Sequence, residues 1–402
     1  MEKMSSKKIL GVYLKKDRDK SVKRMHPWIF SGAIDRTDSN ISNGETVNVV
    51  TSSGQVVGKG AYSPNSQIRV RMWTFDPEEE IDSQFFREKI SAAYVLRQQL
   101  NNSNSDAYRI INAENDGLPG IIVDRYGEYL SCQFLSAGAE YWKDEIVNLL
   151  AEIIKPKAVY ERSDSDVRIK EGLKPETGLL YGIDVPNQIE ITENDLKFLV
   201  DIKAGHKTGF YLDQKDNRLL LSSVIKNKTV LNCFSYSGAF TVYALKNNAK
   251  EVTNIDTSAS ALELSNKNIE LNKLDLTKTE NINEDVFKVL RKFRDEGKSF
   301  EVIILDPPKF AESVSQVQKA SRGYKDINLL AIKLLKPGGI LFTFSCSGHI
   351  TTDLFHKIVS DAAVDSGRKV RIIKQATQSW DHPVSLNFPE GLYLKGLLLK
   401  AD

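Results

Sequence analysis

Two side chains in the C-terminal half of this 402-residue chain stand where reactive groups are useful. Cys346 lies in Phe344-Ser345-Cys346-Ser347-Gly348, where an apolar run opens into a loop flanked by serines and a glycine. A cysteine in such a place can present a thiolate, the nucleophilic form of the residue. Asp306 opens Asp306-Pro307-Pro308-Lys309-Phe310, directly after the apolar run Val302-Ile303-Ile304-Leu305. Two prolines there fix a rigid loop, which offers the Asp306 carboxylate and the neighbouring carbonyls to a planar base. If the two apolar runs are neighbours in one sheet, Asp306 and Cys346 reach the same pocket. Cys132 and Cys233 sit inside strand patterns, where a cysteine behaves as a small, inert hydrophobe.

A second group of residues has the character of a nucleoside site. Ser235-Tyr236-Ser237-Gly238-Ala239-Phe240 follows the apolar run Val230-Leu231-Asn232-Cys233-Phe234 and reads as a tight turn into a helix, with Gly238 letting backbone approach a ligand. The start of such a helix favours polar or anionic groups. Asp256 stands 18 residues past Gly238, at the end of the next apolar run, placed to accept from a ribose diol. Asn283-Glu284-Asp285 follows a third short strand, where Asp285 can meet an exocyclic amine. A single glycine lacks the pyrophosphate cradle of the three-glycine dinucleotide fingerprint. That disfavours NAD and favours a nucleoside without phosphates, and S-adenosyl-L-methionine fits. Motifs of the Asp/Asn-Pro-Pro-aromatic type serve methylation of amino nitrogens, but Lys309 stands here in place of the aromatic ring.

These residues need elements to hold them. From about residue 205, short apolar runs alternate with helical patterns, adding Glu251-Val252-Thr253-Asn254-Ile255 and Ile340-Leu341-Phe342-Thr343-Phe344 to the runs above. Such alternation predicts a doubly wound, Rossmann-like α/β sheet, which binds ligands at the carboxyl ends of its strands. Asp76-Pro77-Glu78-Glu79-Glu80 marks a first boundary. Beyond it the spacing predicts a helix from a capping Ser83 to about Leu100, a hairpin over 120–134, a helix over 140–154 and a hairpin over 188–202. The three expected domains are a small β-rich one over 1–75, a central α+β one over 76–190 and the α/β one over 191–402.

The net charge is only +2, but residues 1–73 carry a net of +7 and the remainder −5. Nine lysines and arginines precede residue 25, Lys23 and Arg24 among them. In Gln67-Ile68-Arg69-Val70-Arg71-Met72-Trp73, Arg69 and Arg71 alternate with apolar residues and are expected to form a basic stripe facing solvent. Such a surface suits phosphates. The widely spaced cysteines contain no CxxC pair, which excludes a disulfide framework and a cysteine zinc site. The histidines show no ligand spacing: His349 and His356 lack a third partner, and His382, before Pro383, reads as a surface or loop residue. No metal is expected. Met1-Glu2-Lys3-Met4-Ser5-Ser6-Lys7-Lys8 has no apolar core for a signal peptide, and no apolar run approaches membrane-spanning length, so a cytoplasmic protein is expected.

Five motifs in order carry a resemblance: Gly209-Phe210-Tyr211-Leu212-Asp213-Gln214-Lys215-Asp216-Asn217-Arg218, Asn232-Cys233-Phe234-Ser235-Tyr236-Ser237-Gly238, Asp306-Pro307-Pro308-Lys309-Phe310, Arg322-Gly323-Tyr324-Lys325-Asp326 and Phe344-Ser345-Cys346-Ser347-Gly348. With Pro389-Glu390-Gly391-Leu392-Tyr393-Leu394-Lys395-Gly396 near the C-terminus, the chain resembles, nearly end to end, the bacterial ribosomal RNA large subunit methyltransferase I family. The resemblance implies a 5-methylcytosine enzyme acting on 23S rRNA, with a PUA domain for RNA at the N-terminus and a class I methyltransferase domain at the C-terminus. It adds Phe210, Gln214, Arg218, Phe234 and Tyr236 to the cofactor residues Gly238, Asp256, Asp285 and Asp306. It turns Lys309, Arg322, Tyr324 and Lys325 toward RNA, as a base leaving its stack needs aromatic and cationic contacts.

The implied chemistry suits the residues. Cytosine C5 is too weak a nucleophile to take a methyl group unaided, and a thiolate adding at C6 turns the ring into an enamine-like nucleophile. Cys346 is the candidate for that attack, and Asp306 for holding the base at its N3/N4 edge. Lys309 occupies the position where better-known RNA cytosine methyltransferases carry a second cysteine, so no side chain is assigned to the C5 proton, and water or hydroxide serves as well. Two readings stay open beside this one: guanine methylation on a related Asp-Pro-Pro framework, and an RNA-binding assembly factor with an inactive fold. A homodimer also stays open.

Overall fold

The computed structural model describes residues 9–101 and 104–402; the leader reading of residues 1–8 lies outside them. The chain divides into two compact units. The first comprises Met1–Ile189, Val200–Tyr211 and Asp381–Gly391, and the second Glu190–Leu199, Leu212–Trp380 and Leu392–Asp402. The first two expected segments fall in the first unit, with two stretches from further along the chain.

The first unit holds two sheets. One has six strands in the order Trp28–Phe30, Ile68–Thr74, Val56–Tyr62, Thr46–Val50, Gly11–Leu14 and Ile34–Thr37, closed on Val12, Leu14, Ile29, Val47, Val49, Val70 and Met72. The other has five, in the order Glu176–Gly182, Ala158–Ser163, Tyr129–Phe134, Ile121–Tyr126 and Ala107–Asn112. The helix Ser83–Leu100 lays Phe86, Ile90 and Ala93 into the core of that sheet. Its cap is Asp82, whose side chain accepts from the Phe85 N–H at 3.0 Å, rather than Ser83. The helix expected over 140–154 is two, Ala137–Tyr141 and Lys143–Ile154.

A buried ionic network ties the later stretches into this unit. Arg97, fully buried, grips both oxygens of Asp116 at 2.6 and 2.7 Å and donates to the Asp381 carbonyl at 3.1 Å. The Asp381 carboxylate accepts the Arg109 N–H at 2.8 Å, and its other oxygen meets His382 Nδ1 at 2.9 Å. His382 is thus a loop residue but not a surface one: its side chain is 1% exposed. Arg109 in turn chelates Asp124 at 2.8 and 2.9 Å, and Asp124 accepts from Thr208 at 2.6 Å. Unpaired charges in such a place would be prohibitive, so each arginine carries its own carboxylate.

The second unit is built on one seven-stranded sheet. Its strands are β1 (Thr229–Cys233), β2 (Glu251–Asp256), β3 (Thr279–Asn283), β4 (Phe300–Leu305), β5 (Leu335–Ser345), β6 (Val370–Ala376) and β7 (Lys395–Ala401). Their order is β3-β2-β1-β4-β5-β7-β6, with β7 antiparallel to both neighbours and the first five parallel. The order reverses between β1 and β4, the switch point where such sheets open a crevice. Among the described residues no helix is long and apolar enough to cross a membrane.

Burial alone would raise the Asp124 pKa, but Arg109 beside it holds it below the usual 3.8. Its contribution to stability is therefore present above that value and lost only as pH falls through the depressed folded pKa. Asp124→Asn, which strands Arg109, should cost about 3–5 kcal/mol at pH 7. Urea unfolding followed by tryptophan fluorescence checks this, and an unchanged midpoint contradicts it.

Candidate active site

The register of the sheet brings the candidate residues to one edge. Cys233 lies beside Ile255 on one side and Leu305 on the other, and Leu305 lies beside Thr343. The residues that follow are Phe234 after β1, Asp306 after β4 and Cys346 after β5, while Asp256 closes β2. Asp306 and Cys346 thus leave adjacent parallel strands, and the Cys346 sulfur lies 3.9 Å from the Pro307 carbonyl.

The turn after β1 is conformationally costly. Phe234 and Tyr236 have φ of +60° and +47°, in the left-handed region that side chains other than glycine rarely adopt, and Gly238 has +71°. Asp256 holds the turn: one carboxylate oxygen accepts from the Tyr236 N–H at 2.8 Å and the other from the Ser258 N–H at 2.9 Å. Each oxygen keeps a further lone pair. The buried hydroxyls of Ser235 and Ser237 have no hydrogen-bond partner among the described residues. Packing inside the unit also requires glycine at Gly238. A Cβ there would lie 1.9 Å from Ser265 Oγ and 2.7 Å from its Cβ, on the helix Ala259–Leu271. Asp285 caps the helix Val286–Asp295 by accepting from the Lys288 N–H at 3.0 Å.

Gln214 is buried and donates from its amide to Asp306 at 2.9 Å, while its carbonyl accepts from Asn217 at 2.7 Å. Asp306 is thereby oriented as an acceptor. The loop after β5 is tied to the loop after β4: the Ser347 hydroxyl accepts the backbone N–H groups of Phe310 and Ala311 at 3.1 and 3.2 Å and meets the Tyr324 hydroxyl at 3.0 Å.

Several expected roles are corrected by burial and pairing. Phe210 is buried in the first unit, its N–H donating to the Tyr126 hydroxyl at 3.2 Å. Arg218 is buried and chelates Glu193 at 2.7 and 2.6 Å. Burial opposes its charge, yet Glu193 holds its pKa above the usual value; this guanidinium clamps a hairpin. Tyr324 cannot face RNA, because it is fully buried and packs on Phe310 with centroids 4.6 Å apart. Arg71 is not part of a solvent stripe: it is buried and paired with Glu171 at 2.7 Å. Arg69 donates to the carbonyls of Ser63 and Pro64, Lys23 pairs with Asp19 at 2.7 Å and Lys325 with Asp365 at 2.7 Å. Arg24, Lys309 and Arg322 are exposed.

One residue of the site was not assigned from sequence. Lys395, the first residue of β7, is 5% exposed and donates to the Ser347 carbonyl at 2.8 Å. A lysine opening the apolar run Leu394-Lys395-Gly396-Leu397-Leu398-Leu399 is the signal that could have found it.

Comparison with known proteins bears on the whole chain. Residues 12–75 match the family model of a PUA-like domain, and residues 172–372 that of an S-adenosylmethionine-dependent methyltransferase. The chain is 53% identical over 392 residues to Ribosomal RNA large subunit methyltransferase I of Tolumonas auensis, covering 97% of this chain and 99% of that one. The protein of the same name from Klebsiella pneumoniae is 52% identical, over 96% and 97% of the two chains. A solved chain from Streptococcus mutans described as a SAM-dependent methyltransferase shares the fold, with a TM-score of 0.84 at 23% identity over 98% of this chain and 100% of that one. A second, described as a methyltransferase complexed with SAH, gives 0.85 at 22% identity over 98% and 100%.

Gly238→Ala tests the packing account of the turn. A left-handed alanine alone costs about 1–2 kcal/mol, and the clash with Ser265 should add to it. Thermal unfolding should show a larger loss than that; a loss within it would mean that the helix simply yields.

Proposed function

The chain belongs to the ribosomal RNA large subunit methyltransferase I family, and from that premise we propose that it methylates C5 of a cytosine in 23S rRNA through a covalent adduct of Cys346. The observation that carries the reading is the emergence of Cys346 and Asp306 from adjacent strand ends, with the sulfur 3.9 Å from the Pro307 carbonyl. A cysteine at that place has a use in cytosine C5 chemistry that it lacks in amino-nitrogen transfer, and Lys309 removes the aromatic platform that nitrogen transfer would want.

The cofactor is S-adenosylmethionine, and the residues after β1, β2 and β3 fit it. Asp256 has lone pairs left for a ribose diol, the Ser235 and Ser237 hydroxyls offer donors, and Asp285 offers its second carboxylate oxygen to an amine. Bound there, the cofactor supplies an electrophilic methyl group. Cys346 adds as thiolate to C6, forming the S–C6 bond and moving electron density to C5. Asp306, oriented by Gln214, accepts from the exocyclic amine of the base. With the methyl group on C5, loss of the C5 proton to water or hydroxide restores the C5–C6 double bond, breaks the S–C6 bond and expels the thiolate.

RNA contacts fall to the cations that the fold leaves at the surface: Arg24 in the N-terminal module, with Lys309 and Arg322 beside the pocket loop. The PUA-like match supports an RNA-binding role for that module. Lys23, Arg69 and Lys325 join them only where RNA phosphate displaces their present partners.

Two measurements test the reading. Mass spectrometry of nucleosides from undermethylated 23S rRNA treated with the enzyme should show 5-methylcytidine, and Cys346→Ala should abolish it; a methylguanosine, or full turnover by Cys346→Ala, sinks the proposal. Arg24→Ala and Arg322→Ala should each weaken RNA binding and reduce the slope of log affinity against log salt by about 1, with cofactor affinity unchanged. Arg71→Ala should instead lower thermal stability, since it strands Glu171.

A further inference from the structure

We infer that Lys395 is the positioning residue that keeps Cys346 in its thiolate form. The inference rests on the nucleophile reading above and deepens it. Three features of the geometry carry it.

The first is where the side chain runs. The Lys395 backbone pairs with Ser345 across the antiparallel β5–β7 register, and its Nζ ends on the Ser347 carbonyl at 2.8 Å. The side chain therefore spans the stretch whose middle residue is Cys346. The second is the balance of charge. Lys395 is almost wholly buried, and among the described residues no carboxylate lies within ion-pair distance of it. A buried ammonium needs a counter-charge. Of the titratable groups that act on it, Lys309 carries the same sign and Cys346 alone can supply the opposite one. The third is what the sulfur meets otherwise. The Pro307 carbonyl, 3.9 Å away, is an acceptor and favours the S–H form, and the Tyr324 hydroxyl is held at Ser347. Lys395 is the group that opposes this and favours the anion.

Consistent with that placement, burial draws the Lys395 pKa down to about 8, with Cys346 opposing it and Lys309 adding the smallest part of the lowering. Formation of the pair balances: one proton leaves Sγ as one binds Nζ, with no other change. The nucleophile is then made where it is used, without a histidine or a second cysteine.

The test reads the cysteine directly. The full-length protein is alkylated with iodoacetamide across pH 5–10, and the rate at Cys346 is followed by peptide mass spectrometry. Cys132 and Cys233, both fully buried, give the unreactive background. In Lys395→Gln, which keeps an amide donor but loses the charge, the midpoint for Cys346 should rise by at least about one pH unit, a tenfold loss of thiolate at neutral pH. Lys395→Arg, which keeps the charge, should stay near the wild-type midpoint. S-adenosylmethionine affinity, measured by calorimetry, should be equal in all three and so reports an intact fold. If the Gln variant binds cofactor normally and its midpoint matches wild type, or if Arg and Gln shift alike, Lys395 only anchors the loop and the inference is overturned. The outcome does not depend on substrate, so a failure of the cytosine reading, seen as full turnover by Cys346→Ala, is told apart from it.

Discussion

The pocket depends on one serine. Two loops that leave adjacent strand ends have no sequence reason to stay together, and Ser347 supplies it. Its hydroxyl oxygen accepts two N–H groups from the loop after β4, at Phe310 and Ala311, which uses both lone pairs. The hydroxyl proton is then left for Tyr324, 3.0 Å away on the helix Val317–Leu334. Its carbonyl takes the Lys395 ammonium. A residue that is fully buried thus fixes the Asp-Pro-Pro loop, the cysteine loop, a helix and the start of β7 in one arrangement. The prolines make the first loop stiff, and this clamp, with Gln214 at Asp306, sets where it points.

Most of the scaffold was legible in the sequence because it rests on local periodicity. The parallel strands were marked by apolar runs bounded by turn residues, and the hairpins over 120–134 and 188–202 by alternation about a turn. Asp306 and Cys346 were legible for a related reason: each immediately follows such a run, and a chemically capable residue at that place points to a ligand crevice. What was not legible depends on partners far away in the chain. Arg71 alternates like a solvent-facing residue, yet Glu171, a hundred positions on, turns it into a buried ion pair. Tyr324 sits among charged residues in sequence and packs on Phe310 and Phe355 in space. Arg218 has the look of a ligand-binding arginine until Glu193 is seen beside it. Period and composition carry no trace of these pairings.

Gly238 shows the same limit at a single atom. A glycine at a strand–helix turn invites the explanation that a ligand must come close, and the positive φ agrees with it. The distance to Ser265 gives a further cause, since any Cβ would strike the neighbouring helix. The strain of Phe234 and Tyr236 in the same turn is borne because Asp256 pins the backbone between them and β2. The turn is shaped by its supports.

The three cysteines make the final point about environment. Chemically identical, they meet opposite surroundings. Burial pushes the Cys132 thiol far up, with Asp124 and Glu161 adding to the effect, and burial alone does the same at Cys233. Neither has a cation to offset the loss of water, so both stay protonated and unreactive. Cys346 lies at a strand end, partly exposed, with a buried ammonium facing it from β7. Lys395 can stand there only because the chain passes to the first unit over Asp381–Gly391 and then rejoins the sheet as an antiparallel strand beside β5. A parallel strand would reach that edge carboxyl-end first, where Ala401 now gives way to Asp402 at the far side of the sheet. The reversal of β7 is what brings its first residue, Lys395, to the sheet edge where Cys346 stands.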